Sequence, residues 1–111
     1  MISISKQANY LVATVNLTEA NLHSSEIFKT ELISLLNQYQ QTIILDLEKI
    51  TYVDSSFLGA LVAVLKHALS LKLDVLLTGL QKDIYDLMKL IRLDKVFKIY
   101  KALPEAQYAL Q

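Results

Sequence analysis

The stretch Thr42-Ile43-Ile44-Leu45-Asp46-Leu47-Glu48-Lys49-Ile50-Thr51-Tyr52-Val53-Asp54-Ser55-Ser56-Phe57-Leu58-Gly59 decides the fold. Thr42 to Leu47 is apolar on both alternating faces, as in a strand covered on each side by helices. Thr51 to Val53 runs on toward a turn at Asp54-Ser55-Ser56. Asp and Ser are the side chains that best accept the free N–H groups of a first helical turn. The helix that follows carries Leu58, Leu61, Val62, Leu65, Ala68 and Leu69 on one face. A buried strand therefore passes almost directly into an amphipathic helix.

The same alternation extends in both directions. Ile2 to Lys6 reads as an edge strand, and Tyr10 to Val15 as a second strand rich in β-formers. Asn16 to His23 reads as an exit loop, and Ser24-Ser25 as the start of a helix. Ile27, Phe28, Leu32, Leu35, Leu36 and Tyr39 follow at helical spacing. Downstream, Leu73 to Thr78 is a strand stopped at Gly79. Gln81-Lys82-Asp83 opens a helix marked by Ile84, Leu87, Met88 and Ile91. Val96 to Tyr100 is a last strand, and Pro104 suits the first turn of a terminal helix ending at Leu110. The predicted order is β-β-α-β-α-β-α-β-α. It implies an α/β fold with parallel pairs, right-handed crossovers and helices covering the sheet. The two opening strands pair antiparallel in this reading, which makes the sheet mixed. Gly occurs only at 59 and 79 and Pro only at 104. Connections are therefore short, and residues 1–111 read as a single domain.

Composition excludes several classes of function. Lys plus Arg is 11 and Asp plus Glu is 11. A zero balance argues against a general binder of nucleic acid or of anionic membranes. No cysteine is present, so thiolate metal sites, disulfides and cysteine nucleophiles are out. The longest uncharged apolar run, Phe57 to Leu65, falls far short of the roughly 20 residues a membrane span needs. No secretory leader is legible at Met1 to Lys6, so the expected location is the cytoplasm.

The loop at Asp54-Ser55-Ser56 admits two readings. In one, Asp54 or Ser55 is simply a helix cap. In the other, a serine at a helix start beyond the carboxyl end of a strand is presented to a partner. A phosphoryl group there would meet helix N–H groups and the positive end of the helix dipole. It would also add about −1.5 to −2 charge beside Asp54 and repel a docked partner. A second arc of the same helix, with Phe57, Ala60, Val64 and Leu71, is either covered by a neighbouring element or exposed as a docking patch. His23 and His67 have no paired ligand in sequence and read as surface residues. Asp46 and Asp54 have no Gly-rich loop or basic cluster beside them, so a structural or partner-facing role outweighs catalysis.

Ile43 to Leu47, Val53-Asp54-Ser55-Ser56 and Leu58-Gly59 together resemble the signature of STAS domains, the sulphate transporter and anti-sigma factor antagonist family. Leu73 to Gly79 and Leu87 to Phe97 resemble the family's later elements. The resemblance implies a STAS-like fold and a small regulator without enzymatic activity or cofactor of its own. It implies binding to an anti-sigma factor that is also a serine kinase, and so control of transcription by a sigma factor. It implies Ser55 as the phosphorylation site, reversed by a serine phosphatase, with Asn21, Asp54, Ser55 and Ser56 at the partner surface, to which the exposed-arc reading of the helix adds Phe57, Ala60 and Val64. Three positions depart from the family pattern: Phe57 stands at a Gly position, Asn21 at an Asp position and Thr18 at a Gly position. A second function of the same fold is a permanent accessory subunit, for example of a lipid-transport ATPase, docking through the arc led by Phe57. A third is a ligand or enzyme site at Asp46 and Asp54. An apolar flank and zero charge also allow a homodimer.

Overall fold

The computed structural model describes residues 1–111. Seven strands and four α-helices form: β1 (Ile2–Lys6), β2 (Tyr10–Val15), β3 (Glu19–Ala20), α1 (Leu22–Tyr39), β4 (Thr42–Asp46), β5 (Tyr52–Val53), α2 (Ser55–Ser70), β6 (Val75–Thr78), α3 (Lys82–Leu90), β7 (Lys98–Tyr100) and α4 (Leu103–Ala109). A 3₁₀ turn, Leu93–Lys95, lies between α3 and β7. The main sheet runs β1-β2-β4-β6-β7. β1 pairs antiparallel with β2, and every other neighbour in that sheet is parallel. The expected mixed sheet and element order hold, with two two-residue strands added.

Alternation decides which helix covers which face. Ile43, Leu45, Val75 and Leu77 join Phe28, Leu32 and Leu36 of α1, Leu61 and Leu65 of α2, and Ile84 and Met88 of α3 in the larger core. The intervening Ile44 and Leu76 pack with Ala106 of α4 on the opposite face, edged by Tyr10, Tyr100, Leu103 and Leu110. Both faces of β4 and β6 are thus removed from water, which is why neither strand alternates in the sequence.

Gly79 is required by its backbone. Its φ is +73°, and a Cβ there would lie 3.0 Å from Asp46 Oδ1 and 3.1 Å from Glu48 Cβ. The left-handed conformation and this close approach both favour glycine where β6 turns toward α3.

Several boundaries shift from the sequence reading. α1 begins at Leu22 and not after Ser24-Ser25, because Asn21 is the cap. Its side chain accepts from His23 N–H at 3.1 Å, while Ser24 Oγ accepts from Asn21 N–H at 3.2 Å. This reciprocal capping box satisfies donors on both sides of the helix start. Ser24 and Ser25 are consequently interior residues of the first turns. The last strand keeps only Lys98–Tyr100, since Val96 and Phe97 donate their backbone N–H groups to Leu93 O in the preceding turn.

The second arc of α2 is also resolved. Phe57 and Val64 are fully buried, and Ala60 is 7% exposed. Phe57 packs on Phe28 of α1, with ring centroids 4.6 Å apart and the planes tilted by 43°. The arc is the seam between α1 and α2, so Phe57, Ala60 and Val64 do not form a docking surface. Helical periodicity alone could not tell a flank facing solvent from one facing a second helix.

Candidate functional site

Two helices start side by side at one end of the molecule, and a miniature sheet sets their spacing. β3 and β5 pair in parallel, Glu19 with Tyr52 and Ala20 with Val53. Thr51 N–H donates to Thr18 O at 2.7 Å, and Asp54 N–H to Ala20 O at 3.1 Å. These bonds tie the residues entering α1 to those entering α2. Thr18 does not have a positive φ, so the glycine of the family pattern is not needed there for backbone reasons.

Asp54 is the joint between the two helices. Oδ1 accepts from Phe57 N–H at 3.1 Å, capping α2. The same oxygen accepts from Ser56 Oγ at 2.5 Å. Oδ2 accepts from Leu22 N–H at 3.0 Å, at the start of α1. One carboxylate therefore satisfies otherwise unpaired donors of both helices and lies near the positive ends of two dipoles. Its pKa is held below the usual carboxylate value chiefly by the Ser56 hydroxyl; burial opposes this as the next effect in size, and the Phe57, Leu22 and Ser56 backbone N–H groups each lower it further.

The two serines of the loop are not equivalent. Ser56 is half-buried and its hydroxyl is committed to Asp54. Ser55, the first helical residue of α2, is exposed, and its hydroxyl makes no hydrogen bond within the chain. Nothing in the fold occupies the Ser55 hydroxyl. Around it lie the exposed Leu22 and Tyr52, 68% and 53% accessible. Gly59, one turn beyond Ser55 on the same side of α2, is exposed with open space where a Cβ would be. Glu19, opposite Tyr52 in the small sheet, adds an acidic charge to that of Asp54.

The structure thus brings Asn21, Asp54, Ser55 and Ser56 to one end and turns Phe57, Ala60 and Val64 inward. Leu22 and Tyr52 were missed. Leu22 was read as loop, and Tyr52 as part of a strand running on to the turn. The only signal for them was their position, Leu22 directly after the cap Asn21 and Tyr52 two residues before the cap Asp54. Asp46 and Asp54 share no partner: Asp46 Oδ1 accepts from Glu48 N–H at 3.1 Å. No group of three or more His or acidic side chains is placed to hold a metal ion. His67 Nε2 lies 2.7 Å from Asn37 Oδ1, linking α2 to α1 at the surface. No helix is long and apolar enough to cross a membrane.

Solved structures share this architecture. An anti-sigma-factor antagonist (STAS) domain protein from Planctomyces limnophilus is 19% identical, with a TM-score of 0.87 over 97% of this chain and 96% of that one. An anti-sigma factor antagonist from Mycobacterium paratuberculosis is 18% identical, with a TM-score of 0.83 over 98% and 92%. The Bacillus cell fate determinant SpoIIAA in its phosphorylated form is 16% identical, with a TM-score of 0.76 over 100% of both chains. At these identities the likeness speaks for the fold. The STAS domain family itself matches residues 6–106. With the Asp54-capped helix start and the β1-β2-β4-β6-β7 sheet, this shows that the chain belongs to the STAS domain family.

Proposed function

We propose that this chain is a phosphorylation-controlled interaction switch of the anti-sigma factor antagonist type. In this reading it is a single cytoplasmic domain without catalytic activity. Its unmodified form binds an anti-sigma factor that is also a serine kinase, and so frees a sigma factor. The kinase, supplying ATP and Mg²⁺, phosphorylates Ser55, and a serine phosphatase removes the phosphate. The partner contacts Ser55, Leu22, Tyr52 and the Gly59 side of α2, with Asn21, Asp54 and Ser56 shaping the loop beneath.

One observation carries the reading: Ser55 is exposed and unbonded while Ser56 is held by Asp54. A modifying enzyme can take the first hydroxyl without disturbing the helix cap. The second must first be released from its bond to Asp54. A phosphate at Ser55 adds about −1.5 to −2 charge next to Asp54 and Glu19. The solvated helix start tolerates that charge. An interface that must desolvate it does not. The reading of a permanent accessory subunit docking through Phe57 loses its contact surface, because Phe57 lies inside the α1–α2 seam.

The test is phosphorylation by the cognate anti-sigma kinase followed by peptide mapping. The expected result is one phosphate on Ser55, none in Ser55→Ala and unchanged labelling in Ser56→Ala. Labelling of Ser56, or none at all, would contradict the proposal.

A further inference from the structure

Charge is unevenly distributed along the balanced chain. Residues 82–101 hold Lys82, Lys89, Arg92, Lys95, Lys98 and Lys101 against Asp83, Asp86 and Asp94, six cations to three anions. With 11 of each in the whole chain, the remainder carries five cations and eight anions. Of the cations in residues 82–101, Lys82 and Lys101 border a cleft at the carboxyl end of the sheet, whereas Lys98 lies at the other end of β7 and pairs with Asp74 at 2.7 Å. The cleft has a volume of about 480 Å³ and is lined by Leu80, Lys82, Tyr85, Ile99, Tyr100 and Lys101. The volume falls in the range of small-molecule sites. The cleft also lies at the carboxyl ends of two parallel strands, β6 and β7, and takes Ile99 and Tyr100 from the last of them; ligand sites of open α/β sheets tend to lie at this end.

The lining specifies a chemistry. Leu80 and Ile99 supply aliphatic surface, and Tyr85 and Tyr100 supply aromatic surface with polar tips. The two charged lining residues are both lysines. Lys82 is partly spoken for, since its Nζ lies 2.8 Å from Asp86 Oδ2. Lys101 is exposed and makes no salt bridge. Lys89 Nζ lies 5.8 Å from the centre of the Tyr85 ring and adds a third cation at the margin.

We propose that this cleft is a second binding site, separate from the Ser55 loop. Its ligand is a small organic anion with a flat apolar body: an arene or similar ring bearing a carboxylate, sulfonate or phosphate. The ring lies on Leu80, Ile99 and the tyrosines, and Lys101 receives the anionic group with Lys82 beside it. Lys101, having no carboxylate partner, supplies the greater part of the charge recognition.

The test is an amide-resolved NMR titration of the full chain with anilinonaphthalene sulfonate as probe. Neutral N-phenylnaphthylamine and inorganic phosphate alone serve as comparisons. The expected shifts cluster at residues 80–85 and 99–101, with the neutral amine and phosphate each binding more weakly. Lys101→Glu should weaken the sulfonate by about tenfold or more, the scale of a lost charge-assisted contact, and Lys66→Glu should leave it unchanged. Lys101→Gln, with a smaller loss expected, provides a second variant that removes the charge and keeps a polar side chain that can donate hydrogen bonds. Shifts confined to the exposed Leu90, Ile91 and Val96, equal binding of the neutral amine, or indifference to both Lys101 variants would each overturn the proposal.

Discussion

The two sides of α2 follow opposite rules. On one side, Phe57, Ala60 and Val64 are pressed against α1, and Phe57 meets Phe28 ring to ring. On the other, Ser55 and Gly59 face solvent with nothing above them. The first side fixes the angle and spacing of two helices. The second is free to change chemically without disturbing that packing. A switch needs this separation, because a modification that also altered the core would unfold the protein along with ending the interaction.

The largest expected effect breaks the buried side. Phe57→Ala should cost about 3–5 kcal/mol, the range for removing a large core aromatic, measured as a loss in denaturant-unfolding free energy. Phe57→Leu should recover much of that, since it keeps apolar volume in the seam. A Phe57→Ala variant as stable as the parent would show that the α1–α2 seam is not the support described here.

Asp54 joins the two sides, so its effect should come next. Asp54→Ala removes the α2 cap and the bond to Leu22 together. A lower unfolding midpoint is expected, with a smaller change than at Phe57. The pH dependence has a definite sign. The folded-state pKa is depressed, so Asp54 contributes its full stabilisation above the ordinary carboxylate value of about 3.9. That contribution is lost as pH falls from there through the lower folded-state value. The difference in stability between the parent and Asp54→Ala should therefore shrink in acid. A difference that stayed constant below pH 4 would remove the assigned electrostatic role.

The open side predicts a gain. Gly59 is in mid-helix, with no atom near the place a Cβ would take. Gly59→Ala should raise stability by about 0.5–1 kcal/mol. If a partner packs closely on this side, the same variant should bind that partner more weakly while being more stable. Stability and binding moving up together would place the interface elsewhere. The smallest expected effect on stability is that of Ser55→Asp, within about 0.5 kcal/mol, because an acidic side chain suits the first turn of a helix.

Much of the fold was legible because strong local patterns coincide with real elements. β1 and β2 match the strands read from the sequence, and β4 and β6 lie within theirs, because a helix-covered strand has little but apolar side chains to offer. The start of α2 was legible because Asp54-Ser55-Ser56 is a cap sequence wherever it occurs. What escaped depends on contacts between distant residues. β3 and β5 have two residues each and exist only through pairing with one another. The start of α1 at Leu22 is fixed by Asn21 and by Asp54, which lies 32 residues away. The burial of Phe57 needed the knowledge that α1 lies on that flank. The phenylalanine at position 28 of the α1 stripe is the one sign of it that the sequence carries. The division of labour between Ser55 and Ser56 was not legible, since either hydroxyl suits a helix start and only the geometry shows which one Asp54 holds.

The most direct measurement is co-retention of the anti-sigma kinase by the immobilised chain, compared across the parent, Ser55→Ala and Ser55→Asp. The account predicts retention by the parent and by Ser55→Ala, and loss with Ser55→Asp, all three having the same unfolding midpoint within error. Equal retention by all three would contradict it, and would leave Ser55 as an ordinary residue at the start of a helix.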